Sequence, residues 1–453
     1  MRALVLVGLV GLASCAASPD APTPTPLDAY VTAMLALQPV GYWRLDERDS
    51  SVMLDATAAA NHGAYHSAPR LGDPGFDGTA AHFSGAAQYG EIPNRAEYSL
   101  TRAWDDFDRT TALAWGAAWT GRGTAYSTIG GSAWIDPRGD AGTFEQGLPV
   151  RLARGNLQVL AAWSDHGAGL QPVALVAERV DDRNFVRAEL RETAAALELH
   201  IVATLAGVDA ELASTELGPA TGAWFLRFEF DGTAVQARAW PADGDQPTTW
   251  LTASASVAAE GTIAIRSANS KSTVRPRIAL QQFRAQTLGL TVHAAVRIDP
   301  DPSALEQILG KGDHSGFTSG TDQEFHLRYD HQQLKGYAFN RDGGLGAGEA
   351  FDVVPEQWYD VALEFDPGDY RDPDAGVHMI VDGAELPIGP GSRYRSNPCT
   401  AADPKCWTID SRNGNAPLRI GTADGETFFA GDVDEVAIFD RLLTADELTS
   451  LRR

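Results

Sequence analysis

The chain has 453 residues, 44% of them apolar, enough for two or three domains with cores of their own and too hydrophobic for a disordered polypeptide. A formal net charge of −24 and an isoelectric point near 4.7 put a negative field over the surface that repels phosphate backbones and anionic headgroups. Nucleic acid is therefore excluded as an expected partner. Acidic residues suit hard cations such as Ca²⁺, but most of such a surplus serves as solubilising surface.

The chain opens "MRALVLVGLVGLASC", with one basic residue, an apolar run from Ala3 to Leu12 and small residues before Cys15. The run is too short to span a bilayer and reads as a cleaved export signal. Leu12-Ala13-Ser14-Cys15 resembles the bacterial lipobox. That resemblance implies a lipoprotein signal over residues 1–15 and a lipid on Cys15, the membrane being touched through that anchor only. Residues 16–27, rich in Pro, Ala and Thr, read as an extended tether. Ala16 and Ala17 lack the Asp that follows Cys in inner-membrane lipoproteins, which points to the outer membrane or cell surface of a bacterial envelope.

Asp28 to Gln38 reads as a short amphipathic helix capped by Asp28, and almost everything after it reads as β. "FLRFEFDGTAVQARAW" describes a hairpin: Phe225, Leu226, Phe228 and Phe230 approach a turn at Asp231-Gly232, and Val235, Ala237, Ala239 and Trp240 leave it. "WYDVALEFDPGDYRDPDAGVHMIVDGAEL" repeats the plan about 130 residues later with a longer loop, suggesting two sandwiches. Cys399 and Cys406, in "NPCTAADPKCW", most simply form one small disulfide loop in an oxidising compartment. "TADELTSLRR" predicts a final helix, with Thr444 and Glu447 in capping-box spacing.

The phrases "VGYWRLDE", "NHGAY", "HFSGAAQYGEIPN" and "EYSL" resemble the opening half of the bacterial laminin-G-like, concanavalin A-like jelly rolls. The continuation expected there is missing after Leu100 and occurs far downstream, from "GLTVHAAVRIDPDPSALEQILGKGD" to "GDVDEVAIFDRLLTADEL". The segment between, from "WDDFDRTTALAWGAAWTG" onward, looks like a second kind of concanavalin A-like jelly roll. The resemblance implies an all-β protein of two sandwiches, one inserted into the other: a discontinuous unit of 28–101 and 288–453, and an inserted unit of 102–287. Insertion is tolerated where the chain leaves and re-enters close together.

Concanavalin A-like folds include lectin-like binders and glycoside hydrolases, and the hydrolases need two carboxylates facing one cleft. Glu189 and Glu192 are three apart, so an ideal strand points them to opposite faces. Asp432 and Asp434 are two apart, but Asp434 and Glu435 sit where the resemblance has a structural strand. An E-x-D-x-E-like strand, a G-x-S-x-G and an H-E-x-x-H are all missing, so no catalytic residue is assigned. The resemblance implies a structural Ca²⁺ near the last strand, with Asp434 as ligand and Asp46 as neighbour; backbone or arginine hydrogen bonds to Asp434 are the alternative. Gln281 and Gln282 replace acids at the matching place of the inserted unit.

Sugar binding needs exposed aromatic faces flanked by polar groups. Trp43, Trp224 and Trp358 lie in apolar patterns and are expected in the core, whereas Tyr370, Tyr394 and Trp407 have loop-like surroundings and are the candidate ligand contacts. The reading is a surface-anchored recognition or adhesion protein without catalysis, with a glycan or an extracellular or envelope protein as partner and oligomeric state open. A secreted carbohydrate-active enzyme and a structural envelope spacer are its alternatives.

Overall fold

The structure, a computed structural model, describes residues 26–121, 123, 125–136, 142–163, 172–193, 196–219, 221–255, 257, 260–269, 277–312, 323–339, 345–347, 350–367, 376–387 and 415–451. It is all-β, with four antiparallel sheets forming two sandwiches, as the alternating sequence requires.

Strands from 41–92 and strands from 290–439 share two sheets. In one, the order across the sheet is Ala384–Glu385, Gly376–Val381, Trp358–Asp366, Leu290–Ile298, Ala430–Phe439, Thr79–Ser84 and Arg70–Pro74, with Gly41–Trp43 also on Ala430–Phe439. The other runs from Val52–Met53 through Gly63–His66, Tyr89–Ile92, Leu418–Ile420, Leu305–Lys311 and Phe325–Asp330 to Gln333–Phe339 and its neighbours. Their facing sides bury Trp43, Phe83, Ile92, Leu100, Val292, Leu327, Leu363 and Val433. We call this the split sandwich.

Strands between Thr101 and Gln286 form a nine-stranded and a six-stranded sheet around a separate core that includes Phe107, Trp115, Trp119, Leu226, Phe228 and Phe283. In this continuous sandwich Phe230 pairs with Val235 across the Asp231-Gly232 turn, completing the hairpin read from the sequence. Phe225 and Trp240 stand on its other face, stacked at 5.1 Å. Strict alternation puts neighbouring aromatics on opposite sides of a strand.

The two crossings between the sandwiches lie side by side. The Thr287 N–H donates to the Leu100 carbonyl at 3.0 Å, and Gln286 pairs with Thr101, so the chain leaves and returns at one point.

The outer side of the split sandwich's first sheet carries two helices. Pro26–Ala36 starts two residues before the expected Asp28 cap, and Ala445–Ser450 has the expected box, with Thr444 accepting the Glu447 N–H and Glu447 accepting that of Thr444. Tyr30, Met34, Leu448 and Leu451 pack on Tyr42, Ala437 and Phe439, closing that side of the sheet. Among the described residues no helix is long and apolar enough to cross a membrane.

Candidate functional site on the outer side of the last strand

Ala430–Phe439, "AGDVDEVAIF", is a central strand of the split sandwich. Val433, Val436 and Ile438 face the core. Simple alternation from Val433 would send Glu435 into the core and Val436 and Ile438 out of it. A register shift resolves this: His293 pairs with Ala437 but Ala295 with Asp434, leaving Glu435 as an extra residue at φ 53°. The bulge lets Asp432, Asp434 and Glu435 all face away from the core. All three are buried, and each is answered differently, as a buried charge must be.

Asp432 receives Arg297 Nε at 2.9 Å on Oδ2 and has His82 Nδ1 at 3.3 Å from Oδ1. Asp434 accepts the backbone N–H of Asp77 at 3.0 Å and its neighbour Glu435 N–H at 3.0 Å. The 75–78 turn passes so close that a Cβ on Gly75 would stand 2.5 Å from Asp434 Oδ2. Burial, with Glu435 adjacent, holds the Asp434 carboxyl well above the usual range.

Glu435 accepts the Tyr42 hydroxyl and lies 3.5 Å from Arg44 Nε. Burial pushes its carboxyl up to about 7. His293 places Nδ1 3.0 Å from the Glu435 carbonyl and Nε2 2.6 Å from Asp360 Oδ1. With an acceptor at each nitrogen the imidazolium form is favoured. Burial alone would lower its pKa, but Asp360 outweighs burial and the group is held above its ordinary value.

The expected calcium pair meets an obstacle here. The Asp46 carboxylate is 2.7 Å from Arg44 Nη1, and the same guanidinium faces Glu435. A cation is thus already in place, and Asp434 is engaged by backbone amides. Ca²⁺ takes six to eight oxygens, and as arranged Asp46 and Asp434 do not fit a shared ion. The alternative weighed from sequence, backbone hydrogen bonds to Asp434, matches the geometry.

The residues that do converge came from no motif. Asp73, His82 and Asp432 bring one ligand atom each within 4.8 Å of one another, the group of His, Cys, Asp or Glu among the described residues that does so. His82 and Asp432 belong to a row across five strands, Arg70–His82–Asp432–Arg297–Trp358, each paired in register with the next, and Asp73 stands beside it, paired with Ala80. Trp358, expected in the core, is half-buried on this outer side, with the Arg297 guanidinium 5.1 Å from its ring centre. Register across the sheet, invisible in a single strand, put it there. Trp43 and Trp224 are buried in the cores.

Glu189, in the six-stranded sheet, is buried between Arg187 at 2.8 Å and Arg191. Around it Glu145 pairs with Arg179 at 2.8 Å and Arg266 at 3.1 Å. Glu211 pairs with His200 at 2.9 Å. Asp209, hydrogen-bonded by Arg187 at 2.8 Å, is held down to about 2. Cys15, Cys399, Cys406, Tyr370, Tyr394 and Trp407 all lie outside the described residues.

Known proteins resemble parts of this chain. Solved structures with likeness include the carbohydrate-binding module CBM66 from Bacillus subtilis, at 13% identity over 39% of this chain and 100% of that one, TM-score 0.30. The GH43 protein BlXynB from Bacillus licheniformis matches at 13% over 54% of this chain and 56% of its own, TM-score 0.34. A beta-1,3-glucanase from Mycobacterium marinum matches at 13% over 41% and 98%, TM-score 0.31. None of the curated proteins matches in sequence. The family model described as the concanavalin A-like lectin/glucanases superfamily, Laminin_G_3, matches residues 274–449, a stretch that includes the acidic last strand.

Proposed function

We propose that the protein is a non-catalytic recognition or adhesion lipoprotein, held at the bacterial envelope through Cys15 and the 16–27 tether, whose ligand is a glycan or an extracellular or envelope protein. The observation that carries the non-catalytic part is the state of the carboxylates. Glycoside hydrolysis needs a carboxylic acid that keeps its proton near neutral pH and stands open to substrate beside a second carboxylate. On the outer side of the six-stranded sheet, Glu145, Glu189 and Asp209 are each bound to arginine and Glu211 to His200, and the hydrogen bonds from Arg187 to Asp209 and from Ser214 and His200 to Glu211 hold those two carboxyls below their ordinary values. Most of the carboxyls pushed upward are enclosed instead, while Asp299, also held above its ordinary value by burial, is half-buried with His82 Nε2 at 3.9 Å. Glu435 lies against Tyr42, and Glu364 accepts the Leu443 N–H at 2.8 Å beside the last helix.

In this proposal Cys399 and Cys406 close a disulfide loop that presents Trp407, and Tyr394 and Tyr370 join it as stacking platforms for a pyranose face. The test has two arms. A glycan array and a pull-down from envelope extracts are expected to retain a ligand, and a polysaccharide turnover screen is expected to stay blank. Turnover that dies with one Asp or Glu substitution would replace this reading by a carbohydrate-active enzyme. A blank in every arm would replace it by a passive envelope spacer.

A further inference from the structure

The Asp73–His82–Asp432 group takes no part in the recognition reading, and its three potential ligand atoms lie within 4.8 Å of one another. We propose that it binds one divalent first-row transition ion of the Zn²⁺ class, with one oxygen each from Asp73 and Asp432 and Nδ1 of His82.

Three features built into the strands support this. First, the 3.3 Å between His82 Nδ1 and Asp432 Oδ1 is the edge expected when two ligands share a tetrahedral ion with bonds of about 2.0–2.1 Å. Second, each carboxylate is oriented by an arginine that occupies only its other oxygen. Arg297 Nε holds Asp432 Oδ2 at 2.9 Å and Arg70 Nε holds Asp73 Oδ2 at 2.7 Å. The Asp299 carboxylate stands 3.9 Å from His82 Nε2, on the far side of the ring. That separation is beyond hydrogen-bond reach, so Asp299 acts on the ring as a nearby negative charge.

Third, Asp73 reaches the group only through a bulge. Arg70 pairs with His82 and Leu71 with Ala81, but Ala80 pairs with Asp73 and not with residue 72. Gly72 is the extra residue, at φ 84°, a conformation glycine takes without strain. The bulge resets the alternation and puts Asp73 on the same side as Arg70 and His82. An imidazole with two carboxylates selects a borderline ion over Ca²⁺, which prefers oxygen alone in greater number. Acids also outnumber the fixed cations here: Asp73, Asp299 and Asp432 face Arg70 and Arg297.

The experiment is calorimetric titration of the full, metal-stripped chain with ZnCl₂, and with CaCl₂ in parallel. One Zn²⁺ per chain is expected, with Ca²⁺ much weaker. His82→Gln and Asp73→Asn are each expected to weaken Zn²⁺ about tenfold or more, while His331→Gln, at an exposed histidine beside Asp330, leaves it unchanged. Asp73 is half-buried at the sheet edge, so its substitution tests the site without opening the core, and circular dichroism checks that each variant keeps the native strand signal. The proposal is overturned by no uptake, by Ca²⁺ binding as tightly as Zn²⁺, or by uptake that survives both folded variants. Loss with His331→Gln instead would also overturn it.

Discussion

Each sandwich ends on a strand that returns to the middle of a sheet, and the two strands solve the same placement with different chemistry. In the split sandwich Ala430–Phe439 turns Asp432, Asp434 and Glu435 outward, where Arg297, the 75–78 turn and Tyr42 meet them in that order. In the continuous sandwich Ile278–Gln286 turns Leu280 and Phe283 inward and leaves Gln281 exposed and Gln282 half-buried on the other side. Arg284 Nη2 donates to Gln158 at 2.9 Å, and Gln286 Nε2 donates to Thr101 at 3.1 Å. Both strands carry a register shift. The contrast teaches that acids taken out of water create the need for charge partners. In the split sandwich Asp432 meets Arg297 and Glu435 faces Arg44. In the continuous sandwich Gln281 and Gln282 keep contact with water, and amides suffice there.

The strongest way to break this comparison is to separate the two sandwiches. Because Thr287 N–H meets the Leu100 carbonyl, we expect that deleting Thr101 to Thr287 and joining Leu100 to Leu288 leaves a folded, soluble split sandwich. A cooperative thermal transition and a strand-type dichroism spectrum are the readout. An unfolded product would mean that the continuous sandwich supports the other, and that the two discontinuous pieces are not one folding unit.

Next in size is the removal of a buried counter-charge. Arg44→Met leaves Glu435 without its cation and is expected to cost about 3 kcal/mol in denaturant unfolding. Gln282→Ala, on the corresponding strand of the continuous sandwich, is expected to stay within about 0.5 kcal/mol. Equal costs would remove the distinction between covered and open outward sides.

A smaller effect follows from protons. The folded carboxyl of Glu435 titrates at about 7 against a reference of 4.5, and His293 is held above its reference of 6.5. In both cases the native state binds more protons than the unfolded chain. Their stabilisation is therefore complete below the unfolded values and is lost as pH rises through the folded ones. Asp209 and Glu447, both held at about 2, act in the opposite sense, but their change lies at the acid end. The melting temperature should therefore fall between about pH 5 and 8, and Glu435→Gln should flatten that fall. A profile unaltered by the substitution would exclude Glu435 from it.

The smallest expected change concerns calcium. With Arg44 between Asp46 and Glu435, exchanging EDTA for millimolar CaCl₂ should move the melting temperature by less than about 1 °C, since an ion that does not bind the native state cannot stabilise it. A rise of several degrees that disappears in Asp434→Asn would place the ion where the sequence reading expected it.

The features legible in the sequence were those whose causes are local. Thr444 and Glu447 cap a helix because they are three residues apart, and Phe230 meets Val235 because Asp231-Gly232 turns the chain between them. The phrase "GDVDEVAIF" reads as a strand with a carboxylate pair at Asp432 and Asp434, and the structure turns that pair away from the core. Glu435 was harder to place, since the bulge that turns it outward shows only as the three-residue step from Val433 to Val436. Trp358 reads as core because its own strand is apolar, yet it is half-buried on the outer side beside Arg297.

By itself, then, the sequence determined the all-β class, the strands that share a hairpin and the last helix, because hydrogen bonding and alternation over a few residues decide them. Only the tertiary structure decided which charges meet. His82 and Asp432 are 350 positions apart, and Asp73 joins them through one extra residue at Gly72. Register across a sheet is a property of several strands at once, and a shift of one residue moves every later side chain to the other side.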